Sequence, residues 1–389
     1  MPSLHRSAAI VGAYEHPTRK SPDKSAYQIQ AEAARGALAE AGLTIGDVDG
    51  FMTASRQGMQ AVEIAEYMGL NPKMIDGTNL GGSSFLAHTA RAAAAIAAGY
   101  CEVVLITYGE TPISIGRAIG TGGSDRQNAT PWPESFETPY GLIIAASYAN
   151  VASRHMYEFG TTSEQLAEIA VTTRRHAGMN PGAMFRDPMT VADVVNSRMI
   201  AWPLHLLDCC VISDGAGALV VTSASRARQC KTKPVWLLGV GEGLAHQSAG
   251  HRDYTTVAAA QSSPRAFAMA GVTHKDIDHL MVYDSFTITV LTTLESLGFC
   301  KKGEGGAFVQ GGRLGMDGQY PTNTDGGGLS NNHPGMRGIF LVIESVKQLR
   351  GDFAGTPRQV KDCKLSLCHG TGGTLGTRHS GVTMILGRD

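Results

Sequence analysis

Gly42–Met52 reads GLTIGDVDGFM, and Gly271–Met281 reads GVTHKDIDHLM. The shared pattern Gly-x-Thr-x-x-Asp-x-Asp-x-x-Met returns after 271 − 42 = 229 residues. The same offset carries Val11-Gly12 onto Val240-Gly241, Glu66 onto Glu295 and Gly69 onto Gly298. Matches that share one register mark a chain made of two copies of one structural unit.

What that unit is follows from the runs around the repeat. Ala8–Ala13 reads as a buried strand, Ser25–Ala41 as an amphipathic helix stopped by Gly42, and Phe51–Ala54 as a second strand. Ala61–Met68 continues as a helix, Lys73–Asp76 as a third strand, Ser83–Ala98 as an alanine-rich helix and Glu102–Thr107 as a buried strand. Alternation of this kind implies parallel βαβ units with right-handed crossovers. From Glu110 to Arg198 the pattern breaks into glycine, proline and helical pieces (Tyr140–Tyr157, Ser163–His176), a long excursion that reads as a lid over a site. Sheet pattern resumes at Ala218–Thr222 and Val235–Gly241. The expected division is residues 1–230, with the excursion at 110–200, and residues 231–389.

Composition removes several functions. The chain carries 33 basic and 34 acidic residues, so charge gives no reason to propose nucleic acid or an anionic membrane as partner. No run approaches the ~18 apolar residues of a membrane span. The opening MPSLHRSAAIVGAYE has too short an apolar stretch for a secretory signal, and no targeting segment is expected. Seven cysteines without a CxxC pair argue for reduced thiols in a cytoplasm and against a structural zinc site. No metal is expected in this chain.

Two turns carry the chemistry. Pro321–Gly338, PTNTDGGGLSNNHPGMRG, sets His333 behind three glycines and ahead of an apolar helix starting near Arg337. Glycine permits close approach of backbone to a ligand, and a helix start offers free N–H groups to an oxyanion. Asn79-Leu-Gly81-Gly82-Ser83-Ser84 is the equivalent turn of the first copy. If the copies pack about a pseudo-twofold axis, these two helix starts converge on one site.

With these motifs in hand the chain resembles the thiolase superfamily, in its sterol-carrier-protein-type and lipid-transfer-protein-like branch. GGGLSNNHPGMRG resembles the family's histidine loop, YDSF at Tyr283–Phe286 its asparagine- or histidine-containing motif, and CHGTGG at Cys368–Gly373 its Cys-x-Gly. SDGAGALVV at Ser213–Val221 resembles the strand closing the first half. The resemblance implies an α/β thiolase-like fold: two duplicated βαβαβαββ halves stacked as α/β/α/β/α, with a loop region inserted in the first half.

It also implies a mechanism with one part missing. In the family a cysteine at the first helix start captures the acyl group; here Asn79-x-x-Gly82 stands at that motif, and no cysteine occurs before Cys101. Cys101 lies at the far end of the following helix, roughly 27–30 Å away by helical rise. Ser83 is one residue along and directed elsewhere, as a helix-capping serine would be.

The groups that remain are Tyr283, His333 and Cys368 as acid/base residues and the backbone N–H groups of Gly82 and Gly370 as oxyanion donors. Asn79 and Ser83 belong to the substrate region by the same resemblance, and Trp132, Phe136 and Tyr140 of the excursion are apolar candidates for the acyl pocket. The expected reaction is retro-aldol cleavage of a β-hydroxyacyl-CoA without an acyl-enzyme, with either Tyr283 or His333 as base and Cys368 protonating the α-carbon. Alternatives are a Claisen-type acyltransferase and a non-catalytic acyl-CoA-binding subunit. By resemblance the chain is a homodimer, has a small zinc-ribbon/OB-fold partner, and uses the CoA thioester as substrate with no resident cofactor.

Overall fold

A computed structural model describes residues 4–55, 58–116, 143–245 and 253–389. Nine strands form the main sheet: β1 (Ala8–Glu15), β2 (Gly50–Thr53), β3 (Met74–Asp76), β4 (Val103–Glu110), β5 (Gly215–Ser223), β6 (Val235–Ala245), β7 (His279–Val282), β8 (Leu365–Thr374) and β9 (Thr377–Gly387). Eight longer helices accompany them: α1 (Ala26–Ala41), α2 (Gln60–Met68), α3 (Ser84–Ala97), α4 (Ile144–Phe159), α5 (Ser163–Met179), α6 (Ala259–Ala270), α7 (Thr287–Leu297) and α8 (Gly338–Arg350).

The duplication is visible in strand order. Outward from the centre one half runs β1-β5-β4-β2-β3 and the other β6-β9-β8-β7. In each, the last strand in sequence is antiparallel and lies between the first strand and the inner parallel one. The expected parallel βαβ pairing is present at β2–β3, β2–β4 and β7–β8, and the closing strands β5 and β9 make the sheet mixed. The second half also lacks a full third strand. Its place is taken by a single bridge between Leu280 and Thr322, because Asn323 turns into a left-handed conformation (φ 55°) and its side chain accepts from the Val282 N–H.

Local chemistry explains why the repeat was so legible. Asp47 and Asp276 each accept from the N–H and hydroxyl of the threonine three residues earlier, at 2.7–2.9 Å, closing matched capping boxes. Asp49 accepts from Glu102 and Val103 N–H at the start of β4, and Asp278 from Lys364 and Leu365 N–H at the start of β8. One half-buried carboxylate thus fixes where the next parallel strand begins, in both halves. Gly12 and Gly241 let β1 and β6 press against α1 and α6, since a Cβ on either would overlap a helix carbonyl.

The halves pair directly over only two residue pairs, Ala9–Trp236 and Ile10–Val235. Both α3 and α8 touch strands of both halves and each other. They form a central helical layer, buried over most of their surface, which α3 can occupy because half of its side chains are alanine. With α1 outside one half and α6 and α7 outside the other, the molecule is layered α/β/α/β/α. From the inserted region, α4 and α5 pack on α7, and α5 also packs on the turn Gly327–Asn331. Buried His155 of α4 meets Glu295 of α7 at 3.1 Å. Trp132, Phe136 and Tyr140 lie outside the described residues.

Candidate active site

The starts of α3 and α8 meet. A Cβ on Gly338 would overlap the carbonyl oxygen of Gly82, so α8 can start this close to the turn before α3 only with a glycine at 338. Between them stands Tyr283, just beyond the end of β7, its N–H bonded to His369 O at 3.0 Å. Its hydroxyl lies 3.0 Å from His333 Nε2 and accepts the Arg337 N–H at 3.2 Å. The two rings are perpendicular, with centroids 5.7 Å apart.

Because the phenol oxygen accepts from Arg337, its own proton is directed at Nε2, which places the imidazole proton on Nδ1. That Nδ1 has no hydrogen-bond partner although it is buried. Burial first, and the Arg337 charge second, lower the His333 pKa to about 4, so the ring is neutral near pH 7. Burial also raises Tyr283 well above its ordinary value, so the phenol keeps its proton. The pair therefore consists of a neutral base holding a neutral acid.

The histidine loop is gripped from both halves. His333 N–H donates to Ser213 Oγ at 3.0 Å, and Tyr108 from β4 donates to Pro334 O at 2.8 Å and accepts from Met336 N–H at 2.9 Å. Asp284 accepts from Gly328 and Leu329 N–H, and wholly buried Arg337 pairs with Asp325. Asp284, Arg337, Tyr108 and Ser213 were not singled out from sequence. Asp284, Arg337 and Ser213 lie inside quoted motifs, which was the available signal.

At Gly82 a Cβ would stand 2.6 Å from Tyr283 Cζ, closer still to Cε2, and 2.5 Å from Thr371 O. The tyrosine ring fills the space a side chain at this position would need. Gly370 lies against the same turn, where its Cβ would fall 3.1 Å from Ser83 Cα and 3.3 Å from Gly82 O.

Other expected residues stand differently. Asn79 braces the turn, donating to Ser55 O and accepting from Gly81 N–H. Ser83 is fully buried, donates to Leu80 O at 2.7 Å and shares a 2.9 Å contact with Ser380 Oγ, so its hydroxyl is engaged in structure. Cys368 does not join Tyr283 and His333. Its thiol lies 3.0 Å from Ser345 Oγ and 3.7 Å from Leu341 O, along α8, and burial raises its pKa to about 12. Strand alternation turns His369 to the opposite face, onto Thr383 Oγ1 at 2.9 Å. Among the described residues no cluster of His, Cys, Asp and Glu is arranged to hold a metal, and no helix is long and apolar enough to cross a membrane.

Residues 241–388 match the family described as thiolase C-terminal domain-like. Over the full length of both chains the protein is 35% identical to the steroid side-chain-cleaving aldolase of Thermomonospora curvata. The chain belongs to the thiolase superfamily. A Methanothermobacter thermautotrophicus relative, an acetyl-CoA acetyltransferase, is also 35% identical, over 96% of this chain and 98% of its own. The solved Ltp2-ChsH2(DUF35) aldolase superposes with a TM-score of 0.89 at 34% identity, covering 99% of each chain. This thiolase-superfamily enzyme thus has near relatives named for carbon–carbon cleavage and for acyl transfer.

Proposed function

We propose that this enzyme cleaves a β-hydroxyacyl-CoA by a retro-aldol reaction without forming an acyl-enzyme. The observation that carries the reading is Gly82: it has no side chain, and the Tyr283 ring fills the space in front of it. An acyltransferase route needs a covalent nucleophile there, and none is at hand.

The steps follow from the protonation states. Tyr283 takes the β-hydroxyl proton of the substrate as it passes its own proton to His333 Nε2, and the Arg337 N–H steadies the phenol oxygen. The Cα–Cβ bond breaks, its electron pair forming a thioester enolate while the β-carbon becomes a ketone or aldehyde. Backbone N–H groups at Gly82 and Gly370 hold the enolate oxygen, a contribution typically of several kcal/mol. The proton returns through Tyr283 to the α-carbon, giving the shortened acyl-CoA and restoring both residues. Neutral His333 is the base in this scheme; Tyr283 relays. Cys368, engaged with Ser345 and Leu341, is given no proton-transfer step.

The relatives' names make a steroid side-chain CoA ester the first substrate to try. The ChsH2(DUF35) chain in the solved aldolase supports a small partner protein here, which we take to be of the zinc-ribbon/OB-fold type, with the present chain forming a homodimer in the cytoplasm. The experiment is product analysis with such a β-hydroxyacyl-CoA, with and without the partner. Equal release of ketone and shortened acyl-CoA, abolished in His333→Ala with substrate binding intact, is the expected result; binding without any turnover would instead mark a non-catalytic subunit.

A further inference from the structure

Tyr283 and its neighbour Asp284 take hold of the histidine loop at two points. Tyr283 meets His333 and the Arg337 N–H. Asp284 points into the π-turn Gly327–Asn331, where Oδ1 accepts from Gly328 N–H at 2.7 Å and Oδ2 from Leu329 N–H at 3.2 Å. These are first-turn donors without a partner inside the turn itself. Gly327 is left-handed (φ 61°), and a Cβ there would overlap Asp284 Oδ2, so the turn is shaped around the carboxylate.

On the far side, Arg337 Nε donates to Asn332 O at 3.2 Å and lies 3.9 Å from Asp284 Oδ1. His333 hangs between these anchors. Single π-turns of this kind recur at functional sites, and this one leads directly to the proposed base.

We infer that Asp284 is a positioning residue: by filling the π-turn it holds His333 Nε2 on the Tyr283 hydroxyl. Its two oxygens are spent on backbone donors and it is wholly buried, so it does not itself touch the substrate. The inference rests on Tyr283 and His333 as the proton-moving pair, but its readout needs no turnover.

The test is a titration of histidine Cε1 signals in the ¹³C-labelled full chain, wild type against Asp284→Ser, with His333→Gln used to assign the signal. Tyr283 and Arg337 are the groups facing His333. In the wild type the His333 signal should stay that of a neutral ring throughout the folded pH range. In Asp284→Ser it should titrate near pH 6.5, as for an ordinary histidine, with kcat at least tenfold lower and KM within threefold. Asp276→Ala, which removes an exposed capping carboxylate ahead of β7, is the control for loss of a structural carboxylate outside this turn and should change neither. If Asp284→Ser does not fold, Asp284→Asn keeps one acceptor for Gly328 and is read the same way. An Asp284 variant that is less stable yet leaves both the His333 signal and kcat as in the control overturns the assignment. A moved His333 signal with no retro-aldol activity in the wild type upholds the positioning role and rejects the reaction.

Discussion

The Tyr283 ring stands where a side chain on Gly82 would have to go, with Cζ 2.6 Å from the Cβ position. The two residues are therefore a matched pair, and adding a side chain at position 82 alone creates a clash. Gly82→Cys alone is expected to cost about 1–3 kcal/mol of overpacking and to abolish turnover. Gly82→Cys combined with Tyr283→Asn removes the ring from that space and leaves only a small shift of the backbone at Thr371 O, 2.5 Å from the Cβ position, for the new side chain to enter. In that double variant the new thiol, giving its proton to His333, attacks the thioester carbonyl; the C–S bond to CoA breaks and CoA leaves with the proton. Intact-mass analysis after incubation with acetyl-CoA should find an acetyl adduct on the double variant and none on Gly82→Cys. An adduct on the single variant would show that the ring yields and is not the obstacle.

Tyr283→Phe keeps the ring and removes the relay. The Arg337 N–H and His333 Nε2 lose a shared partner, which costs about 1–3 kcal/mol of stability if water does not replace it. Loss of an acid/base group typically lowers rate about 10²–10⁴-fold, and kcat should fall in that range with KM nearly unchanged. A kcat within threefold of wild type would remove Tyr283 from the proton path.

Cys368→Ala tests the opposite expectation. The thiol is buried against Ser345 and Leu341, so its loss should lower stability by about 1 kcal/mol and leave kcat within threefold. A hundredfold fall in kcat at unchanged melting temperature would return Cys368 to the chemistry.

Acid should unfold this protein early. Burial lowers His88, His176, His333 and His379 to about 4 and His279 and His369 to about 3. A folded pKa below the unfolded value near 6.5 means that the unfolded chain binds more protons between those limits. Stability is therefore full above about pH 6.5 and declines as pH falls toward 4. Each group is worth on the order of 3 kcal/mol over that window, and even a third of the sum is comparable to a typical total of about 5–15 kcal/mol. Circular dichroism against pH should place the unfolding midpoint above 4. A chain still folded at pH 4 would mean that these histidines are solvated.

Much of the fold was legible because its signals are local. Thr44 with Asp47, and Thr273 with Asp276, are capping boxes spelled out within four residues, and Gly42, Gly69, Gly271 and Gly298 all adopt the left-handed conformation that ends a helix (φ between 68° and 92°). The antiparallel placement of β5 and β9 was not legible, since pairing of distant strands leaves no local mark. In the candidate site, Tyr283 and His333 were singled out through their motifs, and the structure brings their side chains together. For Cys368 the motif gives the residue, and only packing against α8 gives the direction of its thiol. Asp284 and Arg337 were passed over because a charged residue reads as a surface group until its buried partners are known.

The most direct measurement is intact-mass analysis of the wild-type enzyme, with its partner, quenched during turnover of a β-hydroxyacyl-CoA, with ketone and acyl-CoA products quantified in the same samples. The account predicts equal amounts of the two products and a protein mass that never changes. An acyl adduct that forms and decays at the turnover rate would contradict it.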